Sequence, residues 1–390
     1  MHRSRQGAAR NHSAASRADV KNSKEILYRR SRHLVFYWKN GALVVENYLS
    51  QTRTSAAPTV LPILEFFGGW RSADAFCRHM RGYSRTSLRR ILAELVRHSL
   101  LQRSDRPPNN NEDKLKNWTE WGPSASFFHF STKNGDYEFD PVTLRRQSCE
   151  RAAHYAKPKQ VKRYPGVRQV PLPRPQLQAE LPQVLLARRT WRRFSTAPVG
   201  LSDIATLLGL TFGVQSWVKE PILGRLPLKT SPSGGARHPL EAYVLARDVT
   251  GLQPGLYHYA ADQHQLEFLR RGATPGQISR YLAGQKWFGA AAAVMFMTAV
   301  FPRTQWKYQS PRAYRVVLAE TGHFCQTFCL LATWLGLAPF CTMALADSLI
   351  EKDLGLDGVT ESVLYAAGVG SRPKGITGGA LAGVTYPLFR

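Results

Sequence analysis

Acidic residues are scarce in this chain of 390 residues: 27 Asp and Glu stand against 53 Lys and Arg, a formal charge of +26. That balance favours polyanionic partners such as nucleic acid, phosphorylated cofactors, acidic peptides or membrane surfaces, without choosing among them. Cysteine is scarce too, and the five present form neither an even disulfide framework nor a metal-type spacing, which fits a reducing cytoplasm. Cys325 and Cys329 stand four apart in an apolar helical stretch and read as small buried hydrophobes. A Gly-x-Gly-x-x-Gly after a strand is missing, so a Rossmann dinucleotide site has no support. Apolar runs long enough to span a bilayer are also lacking: 288–301 is too short and reads as a buried strand. The longer run, 327–346, is broken by Gly336 and Pro339 and reads as a buried helix. The first 24 residues are basic and Ser/Ala-rich, without the apolar centre of a secretory signal, and read as a disordered arm.

What is present falls into segments. Two β-rich runs over 33–48 flank Asn40-Gly41, a dipeptide suited to a tight hairpin turn. Helical patterns follow at 60–67, at 73–80 with Ser72 as cap, and at 88–96 with Ser87 as cap. Arg89, Arg90 and Arg97 lie off the apolar stripe of the third. A hairpin with three short helices is a winged-helix-like pattern, open to three uses: DNA contact, plain scaffold, or peptide capture at the hairpin edge. The expected divisions are a basic tail over 1–30, this module over 31–106, an aromatic and Pro-rich connector over 107–180, and an α/β region from 181 to 390. Within the last, helices are expected at 201–210 and 313–335, and strands at 241–246, 255–259, 265–269, 291–301 and 363–369.

Three constellations carry chemistry. ARRTWRRF (187–194) places four arginines and one hydroxyl in six residues, a dense set of phosphate donors. TSPSGGARHPLEAYVLA (230–246) puts Gly234-Gly235 just before a strand, where backbone can approach a flat ligand. WKYQSPRAYR (306–315) sets Lys307 and Tyr308 before a helix start. Taken singly, each has a plain alternative: a solvated basic face, a turn, and a surface lysine beside a packing tyrosine. Glu320 and His323, three apart on one helix face, read as a buried polar pair or as subunit contacts.

The order of Arg-Arg-Thr-x-Arg-x-Phe, LSDIATLLG, SPSGGARHPLE and GLYHY, then RAYRVVLAETGHFCQTFCLLATWLGL and LGLDGVTESVLYAAGVG, resembles the nitroreductase superfamily over about 181–370. More closely it resembles the SagB-type dehydrogenases, which include azoline oxidases of peptide natural-product pathways. The resemblance implies an α+β nitroreductase fold, a mixed and mainly antiparallel sheet flanked by helices, behind the winged-helix-like module. It implies FMN held by Arg188, Arg189, Thr190 and Arg192 at its phosphate and ribityl end. Ser233, Gly234, Gly235 and Ala236 would line the isoalloxazine, and the run from Pro339 through Thr342, Met343 and Ala344 would pass the flavin. Arg372 and Lys374 would close on the phosphate. His238 departs from the pattern, standing where an aromatic is expected. Lys307 and Tyr308 match the suspected acid/base pair of azoline oxidases.

The expected activity is therefore an FMN-dependent oxidation of azolines to azoles, or a related two-electron oxidation, in ribosomal peptide biosynthesis. A homodimer with the 313–335 helix at its centre, a precursor peptide and a cyclodehydratase are the implied partners; a membrane is not, and nucleic acid is the lesser reading. Two alternatives stay open: an NAD(P)H-dependent reductase of nitro compounds or quinones, and a DNA-binding redox-sensing regulator.

Overall fold

The computed structural model describes residues 25–107, 110–154, 179–221 and 224–375. The basic tail expected over 1–30 and the Pro-rich stretch of the connector fall largely outside them. Two compact units meet at Pro108/Asn109.

The first unit begins with β1 (Leu27–Arg30), β2 (Leu34–Lys39), β3 (Ala42–Asn47) and β4 (Thr52–Ala56). α1 (Val60–Phe66), β5 (Arg71–Ser72), α2 (Ala73–His79), α3 (Arg85–Arg97) and β6 (Leu101–Arg103) complete it. β2 and β3 pair around Asn40-Gly41, and β4 adds a third strand. β1 lies between β5 and β6 in a separate small sheet. Ser72 caps α2 as expected, but α3 is capped by Ser84, not Ser87. Ser84 Oγ accepts from the Ser87 amide, so the helix starts one turn earlier than the apolar stripe indicates. Leu88, Leu92 and Leu95 of α3 close the core with Phe67, Phe76 and Val45.

The second unit opens with α4 (Asn110–Lys114), α5 (Gly122–Ser131), α6 (Pro141–His154) and α7 (Glu180–Ala187). Next come β7 (Val199–Gly200), α8 (Leu201–Thr211), and the hairpin β8 (Ser216–Glu220) and β9 (Gly224–Leu228). The main sheet is built from β10 (Leu240–Ala246), then, past the short β11 (Val249–Thr250), β12 (Gly255–Ala260) and β13 (Gln265–Arg271). After α9 (Pro275–Tyr281), β14 (Ala293–Val300) leads through α10 (Phe301–Gln305) into α11 (Ala313–Trp334). β15 (Ala338–Thr342), α12 (Asp347–Leu354) and β16 (Glu361–Gly370) finish it.

The sheet order is β13-β12-β10-β14-β16-β15, every neighbouring pair antiparallel. β14 is central and covered on both faces, which is why its sequence is an unbroken apolar run. Leu245, Val294, Phe296, Val363 and Phe340 pack with α9 and α12 residues such as Ile278 and Ile350. Val244, Met295 and Met297 alternate to the opposite face, and α11 packs on β16 and β15. The 327–346 run is not one helix. α11 ends at Trp334, Gly336 takes a φ of +74°, and the chain reverses into β15. A Cβ there would be strained, so the helix stops where glycine permits the left-handed turn.

Candidate active site

Three segments distant in sequence surround the loop before β10. Gly235 (φ +60°), Ala236 (φ +53°) and His238 (φ +43°) all take left-handed backbone. A Cβ on Gly235 would lie 2.6 Å from Lys307 Nζ and 2.7 Å from Tyr308 Oη. Both side-chain heads therefore rest on the one surface that glycine leaves bare. A Cβ on Gly234 would meet Val316 of α11 at 2.8 Å. Backbone angle and the two side-chain heads both favour glycine at 235.

Below this loop lies a buried polar layer. Ser233 Oγ donates to Glu320 Oε2 (2.9 Å) and accepts from the His238 amide (2.8 Å), locking the loop to α11. Glu320 is 2% exposed, and burial raises its carboxyl to about 7. Its other oxygen faces His238 Nδ1 at 3.9 Å, and both atoms lack a hydrogen bond. Burial lowers the His238 imidazole to about 4, keeping it neutral. Lys229, pushed down to about 8 by burial, lies beside Glu241, Arg303 and Glu320. Glu241 and Arg303 form an ion pair, and His258 Nε2 is 3.3 Å from the same carboxylate.

The Lys307-Tyr308 turn is held from behind by the aromatic residues of the expected connector. Trp121 Nε1 donates to the Tyr308 carbonyl (2.9 Å) and Trp118 Nε1 to Val359 O (3.0 Å). His129 Nε2 donates to Gly358 O (3.1 Å), so its Nδ1 accepts from Tyr314 Oη at 2.7 Å. Deep burial lowers that imidazole to about 3, in keeping with a neutral ring. Trp118, Phe301 and Tyr314 lie edge-on or tilted around it, and Trp121 packs on Phe301 and Tyr314. Residues 110–131 thus belong to the second unit's core.

The arginine segment leaves α7 in extended form beside β15, with the Trp191 amide on Pro339 O (2.9 Å) and Ser195 N on Ser371 O (2.9 Å). This sets Arg188, Thr190 and Arg192 alongside the strand that leads to Thr342, Met343 and Ala344. The guanidinium groups of Arg188 and Arg192 make no hydrogen bond or ion pair among the described residues. Arg189 instead donates to the carbonyls of Leu186 and Arg188. Arg372 gives Nε to Leu337 O (2.8 Å) and Nη2 to Thr333 O (2.9 Å), so two of its nitrogens serve the end of α11. Lys374 is exposed. Thr342 Oγ1 accepts from the Ala344 amide and contacts Gln285, fixing the turn after β15, while Met343 projects into solvent.

Glu320 and His323 are not a buried pair: Glu320 points inward to Ser233, whereas His323 is exposed. A three-residue separation turns a helix by about 300°, enough to divide them at the edge of the buried face. Lys229 and Trp121 were not expected at the site. The density of aromatics around Trp121 was the available signal; Lys229 gave none.

The sequence profile of the nitroreductase family matches residues 185–371. The chain is 31% identical over 175 residues to MJ1384 of Methanocaldococcus jannaschii, named for a nitroreductase, covering 45% of this chain and 84% of that one. It is 34% identical over 175 residues to the trifolitoxin-processing protein TfxB of Rhizobium leguminosarum bv. trifolii, covering 43% and 46% of the two chains. To the microcin B17-processing protein McbC of Escherichia coli it is 31% identical over 145 residues, covering 34% and 50%. The matched part thus spans about half the length of each of these two processing proteins.

Proposed function

The chain belongs to the nitroreductase family, and on that premise we propose that it is an FMN-dependent dehydrogenase of the SagB type, oxidising azolines to azoles in a ribosomally made peptide. The observation that carries this reading is the placement of Lys307 and Tyr308 against Gly235, where a proton acceptor would face a flat ligand lying on the glycine loop. Similarity to two proteins named for processing trifolitoxin and microcin B17 supports a peptide as substrate.

The residues suit FMN. Arg188 and Arg192, unpaired among the described residues, match a phosphate, and Thr190 adds a hydroxyl. Ser233 to Ala236 offer backbone locked to α11 through Ser233 for the isoalloxazine, and Thr342 to Ala344 form a fixed turn for its edge. FMN, when bound there, would supply two-electron oxidising chemistry. The chain's own task is to take the proton that leaves the neighbouring carbon, at Lys307 Nζ or Tyr308 Oη. Dioxygen or another two-electron acceptor would be the terminal oxidant.

Val316 and Trp334 leave α11 exposed in part, and α7 exposes Leu181 and Leu185, in keeping with a homodimer built on these faces. A cyclodehydratase would deliver the azoline peptide, and residues 31–106 would engage the precursor. The test is turnover of an azoline peptide by Lys307→Ala combined with Tyr308→Phe. The expected outcome is a loss of about 10² to 10⁴-fold in kcat with flavin content unchanged. Unchanged turnover would remove the acid/base assignment and favour the reductase reading, which NAD(P)H oxidation with a nitro compound or quinone then measures.

A further inference from the structure

Three of the five cysteines meet at a point that spacing along the chain conceals. Cys325 and Cys329 lie one turn apart on α11, and Cys341 comes from β15. Their Sγ atoms all lie within 4.8 Å of one another. All three are thiols; two are buried and Cys341 is half-buried. The Tyr365 side chain of β16 lies beside this cluster.

Plain core cysteines serve as small apolar filling and have no reason to converge. These three converge from a helix and a strand. Metal–sulfur bonds of about 2.3 Å in a planar three-sulfur shell put the sulfurs about 4.0 Å apart, so a contraction of under ~1 Å completes the set. The three candidate donors are all sulfur. Such a set excludes calcium, magnesium and manganese, which need several oxygens, and selects thiophilic cations.

We propose that Cys325, Cys329 and Cys341 form a three-thiolate site for a soft d10 cation, zinc(II) or copper(I), that ties α11 to β15. Loading releases the thiol protons and changes no oxidation state. The tie lies one residue before Thr342, so it anchors the turn that follows β15. The site is independent of the flavin assignment and stands or falls without it.

The test uses the full chain, purified anaerobically under reducing conditions and stripped with a chelator. One arm titrates cadmium(II) as a probe for zinc(II), then displaces it with zinc(II); the other titrates copper(I). The expected result is an ultraviolet thiolate-to-metal charge-transfer band saturating at one ion per chain in one of the arms. X-ray absorption should show a sulfur shell of three, and Tm should rise on loading. Cys341→Ser should weaken binding by at least about 100-fold, since even outer-shell changes cost metal sites 10–100-fold. Cys77→Ser and Cys149→Ser should leave it unchanged. Circular dichroism checks that Cys341→Ser folds, and Cys325→Ala supplies a second variant. Failure of the wild-type chain to develop the band in both arms would overturn the proposal. So would equal uptake by a variant lacking all three thiols, or a disulfide through Cys341 as the sole product of metal exposure.

Discussion

Gly235 shows how much of the site depends on one missing methyl group. Alanine there would force a left-handed backbone, costing about 1–2 kcal/mol, and would push Lys307 and Tyr308 off the loop. Gly235→Ala is expected to fold yet to lose at least about tenfold in kcat, a drop corresponding to 1.4 kcal/mol, through displacement of the pair. Steady-state kinetics beside a flavin-to-protein ratio separates that displacement from simple loss of cofactor. Glu320 makes a second, pH-dependent case. Its carboxyl is raised to about 7, so the folded chain favours the protonated form. That contribution is fully present below about pH 4.5, the ordinary carboxyl range, and is lost as pH rises through about 7. Glu320→Gln keeps an acceptor for Ser233 but cannot ionise. Its Tm should therefore gain on the wild type between pH 5 and 8, by an amount equivalent to at most about 3 kcal/mol. A constant difference across that range would mean that the carboxyl does not titrate there. His238 opposes the trend in both proteins, since its lowered value removes stability as pH falls toward about 4.

Helices and strands were legible where their periodicity had one cause. β10, β12, β13, β14, α11 and β16 lie within a few residues of the spans that alternation or helical spacing indicates. β15 was hidden because its five residues continue the apolar composition of α11, and only the reversal at Gly336 divides them. α5 was hidden because it is buried for its aromatics and carries no polar stripe. That helix and the turn before it hold the Lys307-Tyr308 turn. Trp121→Phe preserves the ring but removes the N–H that holds the Tyr308 carbonyl, leaving a buried acceptor unpaired at a cost of about 1–3 kcal/mol. Chemical denaturation should show that loss. If Lys307 and Tyr308 carry the proton transfer proposed for them, kinetics should show kcat falling more than KM rises, because that pair shifts while the glycine loop does not.

The candidate site as a whole was legible in fragments, and its assembly was not. Arginine density and the Gly-Gly turn are local facts that a sequence displays. The meeting of Lys307 with Gly235, of Glu320 with Ser233, and of Cys341 with the thiols of α11 are products of the tertiary fold, and no spacing encodes them. The resemblance to known dehydrogenases assigned both Lys307 and Gly235 to the flavin site without their contact, and was silent on the other two. Net charge, by contrast, was plain from composition yet chose no partner. The central claim is that the nitroreductase-family unit is built around FMN. It is tested most directly by releasing the small molecules from purified full-length protein, and quantifying flavin by absorbance and mass against protein concentration. The account predicts FMN at one per chain, falling when Arg188 and Arg192 are replaced by alanine. Colourless protein that takes up no FMN on reconstitution would contradict it.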